Sequence, residues 1–366
     1  MDPRTQNLAK ILVHHSARIK PVDRVAIEAT TAAEPLVRAL YREILSAGGH
    51  PYPLLKIPSQ YRELLTYGND EQIAHVDQLR RQAYQEFESR IRIYSSTDPQ
   101  ELSGFPSSKQ ALFQQSSSPI LKTQLERGAR DEFKWVTTLY PTEAYAAQAA
   151  MTLEQFQDFV YGSCLADRDN PVRIWQEIKE DQAVRMKLFH GHDLVKLQGP
   201  NIDLELSIKD RKFINCYGVN NMPDGEIFTG PVETSLNGWV RYTYPAVYSG
   251  VLVEGVELEF ENGRVIRASA QDQEEYLLRL LDSDPGARYA GEFAVGTNTH
   301  IQQFTGNILF DEKIGGTIHI ALGSGYPETG SENVSAIHWD MICDMREDSS
   351  IQADGELIYK NGEFII

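Results

Sequence analysis

The segment from residue 23 to residue 57 alternates between strand and helix patterns, and this constrains the fold of the first half of the chain. The apolar run RVAIEA is typical of a strand, and apolar residues then recur at helical spacing in EPLVRALYREILS. Gly48 and Gly49 can take the left-handed conformation that ends a helix, and PYPLLKI follows as a second strand. A helix over 70–89 leads into a third strand, RIRIYSS. This alternation predicts a parallel sheet covered by helices.

The stretch from 142 to 188 has the pattern of successive helices. Thr152 with Gln155 forms a capping-box pattern at one helix start. Asn170 before Pro171 marks another start, because proline is favoured in the first turn of a helix. The stretch contains no low-complexity linker.

From about residue 190 the pattern changes to short apolar segments separated by turn residues. Two Asn–Gly dipeptides, Asn262–Gly263 and Asn361–Gly362, lie between alternating runs, which is the strongest short-range signal for a hairpin. One further helix is predicted over 271–282. The second half is therefore predicted to consist mostly of antiparallel strands.

The length of 366 residues allows two domains. We predict an α/β protein in which residues 1–188 form an α/β domain with a parallel sheet flanked by helices. Residues 189–366 are predicted to form an α+β domain, rich in antiparallel strands, that carries a metal site.

Composition excludes several classes of partner. The formal net charge is −17, and an acidic surface repels phosphate backbones, so we expect no nucleic-acid partner. No stretch approaches the ~20 apolar residues of a membrane span, and the N-terminus lacks a signal-peptide pattern. The three cysteines are far apart in the sequence, which is typical of reduced thiols in a cytoplasmic protein.

The segment SAIHWDM places His338 and Asp340 two residues apart among apolar neighbours. In a strand both side chains point to one face, and Trp339 points to the other, where we expect it to pack in the core. Such a pair is either a structural hydrogen bond or half of a metal site.

Two glutamates of the second half occupy unusual surroundings. Glu226 follows a Pro–Asp–Gly turn, where a carboxylate is usually just solvated. Glu292 lies in YAGEFAV, and strand alternation predicts Ala290, Glu292 and Ala294 on one face. A buried carboxylate needs a partner, so Glu292 is either part of a salt bridge or part of a functional site.

A histidine and a tyrosine complete the candidates. His319 lies in GTIHIALG, among uncharged residues, where a lone histidine is more often a satisfied core residue than a ligand. Tyr326 follows a glycine-rich turn that would let its ring project into a cleft, although taken alone it would be a surface aromatic residue.

Taken together, these carboxylates and imidazoles exceed what core histidines and salt bridges require. Mixed ligands of this kind suit borderline divalent ions such as Zn²⁺, Co²⁺ or Mn²⁺. A catalytic zinc takes about three protein ligands, so the set suits two ions ~3.5–4 Å apart that share a bridging carboxylate and a bridging water. No HExxH motif and no Cys/His zinc module is present. The residues alone indicate a metal site but no substrate.

Four motifs in series, MPDGEIFTGP, YAGEFAVG, FDEK with HIALGSGY, and IHWD, resemble the aminopeptidase T / aminopeptidase S group of metallopeptidases, the thermophilic leucyl aminopeptidases. The resemblance is strong in the C-terminal half and general in the N-terminal half. It implies removal of N-terminal residues from peptides with a free N-terminus, two divalent metal ions (Zn, Co, Mn or Mg) and a homodimer.

Carried over by position, the resemblance implies one bridging ligand, Glu292, and a catalytic tyrosine, Tyr326. As a mechanistic hypothesis, Glu292, or Glu226, handles the proton of the attacking water. The other implied metal ligands are Glu226, His319, His338 and Asp340, with Glu312 of FDEK as a further ligand. The segment KIGGTI before His319 is longer than in the best-known members, and the loop from Tyr326 to His338 is shorter. FTGP stands where many members have FTAP.

Two rival functions are compatible with the same residues. A mononuclear Fe(II) ring-cleaving dioxygenase for dihydroxypyridines also resembles this family, and His319, His338 and Asp340 would suffice to hold one iron. The other rival is a non-catalytic relative that keeps the fold.

Overall fold

The computed structural model describes residues 2–102 and 104–366. The chain divides into two compact units. The first comprises Met1–Trp175 with Gly218–Pro223, and the second comprises Gln176–Tyr217 with Asp224–Ile366. The first unit ends at Trp175, inside a helix, so the domain boundary between 188 and 189 remains a prediction.

Most of the helices belong to the first half of the chain. The α-helices of the described residues are α1 (Pro3–Lys10), α2 (Glu34–Ser46), α3 (Gln60–Tyr67), α4 (Asp70–Ile73), α5 (Gln78–Glu86), α6 (Ser107–Ala129), α7 (Glu143–Gln148), α8 (Leu153–Ser163), α9 (Pro171–Lys187), α10 (Glu274–Leu281) and α11 (Ile308–Asp311). A π-helical segment, Ile11–Ser16, continues α1, and 3₁₀ turns occur at Thr31–Ala33 and Pro327–Thr329.

Most of the strands belong to the second half of the chain. They are β1 (Arg24–Thr30), β2 (His50–Lys56), β3 (Ser89–Tyr94), β4 (Lys134–Leu139), β5 (Leu194–Gly199), β6 (Ile202–Ser207), β7 (Ile214–Cys216), β8 (Asn221–Met222), β9 (Glu226–Thr229), β10 (Asn237–Arg241), β11 (Ala246–Tyr248), β12 (Val251–Val253), β13 (Glu257–Glu261), β14 (Arg264–Ser269), β15 (Ala290–Gly296), β16 (Thr317–Gly323), β17 (His338–Asp344), β18 (Ser350–Ala353), β19 (Glu356–Lys360) and β20 (Glu363–Phe364).

The first unit contains the predicted parallel sheet, with strand order β2-β1-β3-β4-β8. The predicted helix starts are confirmed, since Thr152 and Gln155 form a capping box on α8 and α9 begins at Pro171. The single helix predicted over 70–89 is wrong. Two helices, α4 and α5, form there instead. The Asp77 carboxylate accepts hydrogen bonds from backbone N–H groups at the start of α5 and so begins a new helix.

The second unit is built from antiparallel sheets, as predicted. An eight-stranded sheet has the order β14-β13-β10-β6-β5-β18-β19-β20, and a five-stranded sheet has the order β17-β16-β15-β9-β7. One continuous apolar core contains residues of both sheets, including Leu204, Leu258, Phe293 and Ile320. Burial of this core leaves the other face of the five-stranded sheet for polar side chains.

Both predicted hairpins form. Asn262 and Gly263 have φ values of 50° and 82°, and Asn361 and Gly362 have φ values of 48° and 87°. These positive φ values are what a two-residue hairpin turn requires. The helix predicted over 271–282 is the shorter α10. Within the described residues, none of the helices has the length and apolar character to cross a membrane.

Candidate metal centre

Register in the five-stranded sheet brings the predicted ligands to one face. Ala321 on β16 lies opposite both Glu292 on β15 and Asp340 on β17. His319, two residues before Ala321, shares this face because side chains alternate along a strand. The same register pairs His338 with Gly323 and Glu226 with Gly296. Residues that are separate in the sequence therefore meet on one sheet surface.

Small residues separate the charged side chains on this face. Ala294 lies opposite His319, and Gly296, Ala321 and Gly323 occupy the other paired positions. Alanine and glycine leave the space above the sheet open, so the long side chains of the neighbouring strands can extend into it. Trp339 lies on the opposite face and is buried in the core, as predicted.

The predicted alternation around Glu292 is wrong for one residue. A β-bulge lies between Ala290 and Glu292, so Ala290 pairs with Leu322 while Glu292 pairs with Ala321. Ala290 therefore belongs to the apolar core rather than to the site face. The extra residue, Gly291, aims the Glu292 carboxylate at the site.

Glu292 contacts both histidines. Its Oε1 lies 3.2 Å from His319 Nε2, and its Oε2 lies 3.5 Å from His338 Nε2. Asp340 Oδ1 lies 3.3 Å from His338 Nε2 and 3.9 Å from His319 Nε2. Glu226 Oε2 lies 3.6 Å from His319 Nε2. Glu292 therefore lies between two groups of potential ligand atoms, each group containing one imidazole.

Two of the residue groups that could hold an ion share Glu292. Glu226, Glu292 and His319 offer ligand atoms within 4.8 Å of one another, and so do Glu292, His338 and Asp340. The structure thus brings together the five residues predicted as the main ligands. Glu312 is in neither group.

Glu312 is instead paired with a lysine that was not predicted from the sequence. Lys313 is 0% exposed, and its Nζ contacts Glu312 Oε1 and lies 3.6 Å from Glu226 Oε1. Both residues follow the short helix α11, which directs them toward the site. A lysine next to a glutamate is ordinary on a protein surface, so the sequence FDEK carried no signal that distinguished Lys313.

A third group extends the site on the side of Glu226. Cys216, Asp224 and Glu226 offer ligand atoms within 4.8 Å of one another. Neither Cys216 nor Asp224 was predicted as a site residue from the sequence. Burial raises the pKa of the Cys216 thiol well above its usual 9, so the thiol carries its proton in the metal-free protein.

Tyr326 lies at the edge of the site. Its ring centroid is 5.2 Å from that of His338 and 5.3 Å from that of Phe228. The residue remains 42% exposed, so a molecule entering the site can reach the phenol. That the ring projects into a cleft remains a prediction.

A family model described as thermophilic metalloprotease (M29) matches residues 1–364. The chain belongs to this metalloprotease family. Among its relatives, aminopeptidase AmpS of Bacillus subtilis is 28% identical over 311 residues, which cover 74% of this chain and 75% of the relative. Aminopeptidase T of Thermus thermophilus is 26% identical over 311 residues, which cover 75% of each protein.

Solved structures show the same fold. Wild-type AmpT from Thermus thermophilus superposes with a TM-score of 0.85 at 22% identity, covering 99% of both chains. The 2,5-dihydroxypyridine dioxygenase from Pseudomonas putida has a TM-score of 0.60 at 14% identity, covering 99% of this chain and 96% of that chain. The metalloprotease fold of this chain is therefore shared with a protein of another enzyme class.

The site of this metalloprotease concentrates negative charge. Four carboxylates, Glu226, Glu292, Glu312 and Asp340, interact with one another here, and the ammonium of Lys313 acts on three of them, Glu226, Glu312 and Asp340. Burial raises the pKa of each glutamate, and neighbouring carboxylates add to the effect. Such a site attracts cations, because each added positive charge relieves the repulsion between carboxylates.

The two histidines respond to these charges. Burial opposes their protonation, but contacts with carboxylates outweigh burial and raise the pKa of His319 to about 9 and that of His338 to about 10. The charge of His338 in turn holds the pKa of Asp340 below its ordinary range despite burial. Protons on the imidazoles therefore provide the positive charge that metal cations would otherwise supply.

The residues present fit divalent cations. Glu226 Oε2 and His319 Nδ1 are buried and have no hydrogen-bond partner among the described residues. His338 Nδ1 lies 2.7 Å from the Ser324 carbonyl oxygen, to which it donates, so its Nε2 is oriented for metal binding. Imidazoles and carboxylates together are the donor set that Zn²⁺, Co²⁺ and Mn²⁺ accept.

Proposed function

We propose that this member of the metalloprotease family is an aminopeptidase that uses two divalent metal ions to hydrolyse the N-terminal bond of peptides. The observation that carries the proposal is the position of Glu292, whose two oxygens face His319 and His338 separately. A carboxylate so placed is suited to bridge two ions. The relatives named aminopeptidases support the reaction class.

The ligand assignment follows the two groups. Glu226 and His319 would hold one ion, His338 and Asp340 would hold the other, and Glu292 would contact both. The resemblance to the family implies Glu312 as a further ligand on the side of Glu226, where Lys313 would share both carboxylates with the ion. When bound, such ions lower the pKa of a water molecule and polarise the scissile carbonyl group.

The residues of the chain have separate roles in this proposal. Glu292, or Glu226, accepts the proton of the attacking water and passes it to the leaving amine. Tyr326 donates a hydrogen bond from its phenol to the oxyanion of the tetrahedral intermediate. Partial burial and nearby carboxylates raise the pKa of Tyr326 above its usual 10, so the phenol keeps the proton that it donates.

The acidic site also accounts for the preference for a free N-terminus. The α-amino group of a peptide is a cation, and the buried carboxylates of this site favour a cation over an acylated, neutral N-terminus. We therefore expect hydrolysis of leucine p-nitroanilide in the presence of Co²⁺ or Zn²⁺ and no hydrolysis of N-acetyl-leucine p-nitroanilide. Equal rates on the two substrates would contradict the aminopeptidase proposal.

The dioxygenase alternative gives no role to two of the carboxylates. One iron needs only His319, His338 and Asp340, whereas Glu226 and Glu292 also lie within 3.6 Å of His319. Metal analysis separates the alternatives, since two ions per chain support the peptidase and one iron supports the dioxygenase. Ring cleavage of 2,5-dihydroxypyridine without peptidase activity would overturn the proposal.

Assembly and compartment are further parts of the proposal. The resemblance to known members suggests a homodimer, and the three free cysteines suit a cytoplasmic protein. Light scattering coupled to size-exclusion chromatography tests the first, with a monomeric mass as the contrary result. Fractionation of cells that express the tagged chain tests the second.

A further inference from the structure

A cavity of about 510 Å³ lies within the first unit, at the carboxyl ends of β1 and β3. In the strand order, β1 is followed along the chain by its neighbour β2 on one side, and β3 is followed by its neighbour β4 on the other side. The order of the strands therefore reverses between β1 and β3. Open parallel sheets bind their ligands in the crevice at this reversal. Thr30 and Ser95, which face one another across it, join the strand ends by hydrogen bonds of 2.6 and 2.9 Å.

The cavity is basic, although the chain as a whole is strongly acidic. Its charged lining residues are two carboxylates, Glu28 and Glu101, and four cations, Lys56, Arg80, Arg90 and Arg92. The lining therefore carries an excess of two positive charges, whereas the net charge of the chain is −17. Random placement of charges on so acidic a protein would not favour this local excess.

The two carboxylates already have partners. Glu28 binds Arg80 at 3.0 Å and Arg92 at 2.8 Å. Glu101 accepts hydrogen bonds from the backbone N–H groups of Tyr61 and Arg62. The two carboxylates balance only two of the four cations, and of the two only Glu28 contacts an arginine of the cavity.

Arg90 is the cation that most needs an anion. It is 3% exposed, and no carboxylate of the described residues is within ion-pair distance of it. Its guanidinium donates to Gln124 Oε1, the Val136 carbonyl oxygen and Thr137 Oγ1, which accounts for four of its five N–H groups. Burial lowers the pKa of Arg90 to about 10, still high enough for the charge to persist at neutral pH. A buried charge of this kind is stabilised by a bound counter-ion.

The walls of the cavity are suited to an organic body. Phe113 and Ile120 of α6 line one side, and Tyr84 and Tyr61 line others. Lys56 lies 4.5 Å from the centre of the Tyr61 ring, so its ammonium is held at the cavity beside an aromatic face. Aromatic walls with a few convergent polar groups are typical of small-molecule sites.

We propose that this cavity binds a small organic anion, a phosphate or a carboxylate carried on an aromatic or apolar body, with Arg90 as the principal contact to the anionic group. The one N–H of the Arg90 guanidinium that has no partner can donate a charge-assisted hydrogen bond to an oxygen of either group. The reversal between β1 and β3 places the ligand at the carboxyl ends of the strands, against the aromatic side chains. This site uses none of the residues assigned to peptide hydrolysis.

Calorimetric titration of the full chain with matched probes tests the proposal. Phenyl phosphate and phenylacetate represent the two anion classes, and benzyl alcohol is the neutral control. We expect at least one anionic probe to bind with a Kd below about 1 mM and benzyl alcohol to bind about tenfold more weakly or not at all. Tighter binding of phenyl phosphate identifies the class as phosphates, and tighter binding of phenylacetate identifies it as carboxylates.

Variants locate the binding. Arg90→Met should raise the Kd of the anionic probe by about tenfold or more. Glu292→Gln, at the metal centre, should leave the Kd of the same probe within about twofold of the parent value. If Arg90→Met does not fold, as judged by circular dichroism, Arg90→Lys and Lys56→Met replace it. Each of these variants should raise the Kd of the anionic probe severalfold.

Three results would overturn the proposal. The first is the absence of saturable binding of either anion. The second is equal binding of benzyl alcohol and the anions. The third is binding that Glu292→Gln abolishes and that the Arg90 and Lys56 variants leave intact, because the probes would then occupy the metal centre.

Discussion

Lys313 and Glu226 form a buried ion pair, with Nζ 3.6 Å from Oε1 and both side chains shielded from solvent. The same ammonium contacts Glu312, so one fixed cation lies between two carboxylates. Repulsion between these carboxylates would be strong without it, since burial weakens screening by water. Lys313 therefore supplies positive charge to the site in the metal-free protein.

Replacement of this ammonium should destabilise the metal-free protein. Lys313→Met leaves Glu226 and Glu312 without their shared cation, and breaking a buried pair costs about 3–5 kcal/mol. Urea unfolding of the metal-free chain at neutral pH measures the loss. Added Zn²⁺ or Co²⁺ should restore more stability to the variant than to the parent, because the metals supply the missing positive charge.

The matched control is Lys122→Met, an exposed lysine that pairs with Glu126 on α6. The free energy of unfolding of Lys122→Met should lie within about 0.5 kcal/mol of the parent value, as for surface ion pairs in general. Equal losses in the two variants would show that the buried ammonium has no special role.

Removal of charge from Glu292 should reduce metal binding and abolish peptidase activity. Glu292→Gln keeps the shape of the side chain but loses the charge that faces both histidines. Elemental analysis after dialysis and leucine p-nitroanilide hydrolysis measure the two effects. Glu71→Gln, at an exposed position of α4, is the control and should behave as the parent. Full metal content with full activity in Glu292→Gln would remove this residue from the site.

The phenol of Tyr326 should act on catalysis and not on metal binding. Tyr326→Phe removes one hydrogen-bond donor to the oxyanion, which typically costs ~10²–10³ in kcat. Metal content and folding should stay unchanged, because the ring keeps its packing against Phe228 and His338. Tyr67→Phe, at an 81% exposed position, is the control. An unchanged kcat in Tyr326→Phe would assign the phenol a different role.

The site was predictable from sequence to the extent that strand alternation determines which residues share a face. That rule placed His338 and Asp340 together and Trp339 in the core. It failed at Ala290, because a bulge adds Gly291 to one strand; a glycine inside a strand pattern is a signal for a bulge that strict alternation ignores. Convergence of the separate strands depends on register, and register is a property of the whole sheet.

Lys313 and the basic cavity illustrate what the sequence could not supply. A lysine next to a glutamate is ordinary on a surface, and its burial depends on how α11 packs. The arginines of β3 resemble a solvated strand face until α5 and α6 cover them. Similarly, the helix predicted over 70–89 followed an unbroken helical pattern, while the capping carboxylate of Asp77 divides it. In each case non-local packing or a competing cap determined the outcome.

The stability of the chain at low pH should depend on Glu28. Burial raises the pKa of this carboxyl, but the charges of Arg92, Arg80 and Arg90 outweigh burial and lower the pKa from 4.5 to about 2. A lowered pKa means that the folded state favours the ionised form. The contribution of Glu28 is therefore fully present above pH ~4.5 and is lost as the pH falls from there toward ~2.

The lowered pKa of Glu28 corresponds to a contribution of roughly 3 kcal/mol to the free energy of unfolding at neutral pH. Glu28→Gln should therefore be less stable than the parent at pH 7, and the difference should shrink as the pH is lowered below 4.5. Urea unfolding at several pH values between 7 and 3 measures the difference directly. Glu126→Gln, on the exposed surface of α6, should show no such pH dependence. A difference between Glu28→Gln and the parent that stays constant down to pH 3 would show that the arginines do not hold Glu28 ionised, since protonation of the carboxyl would then leave the stability unchanged.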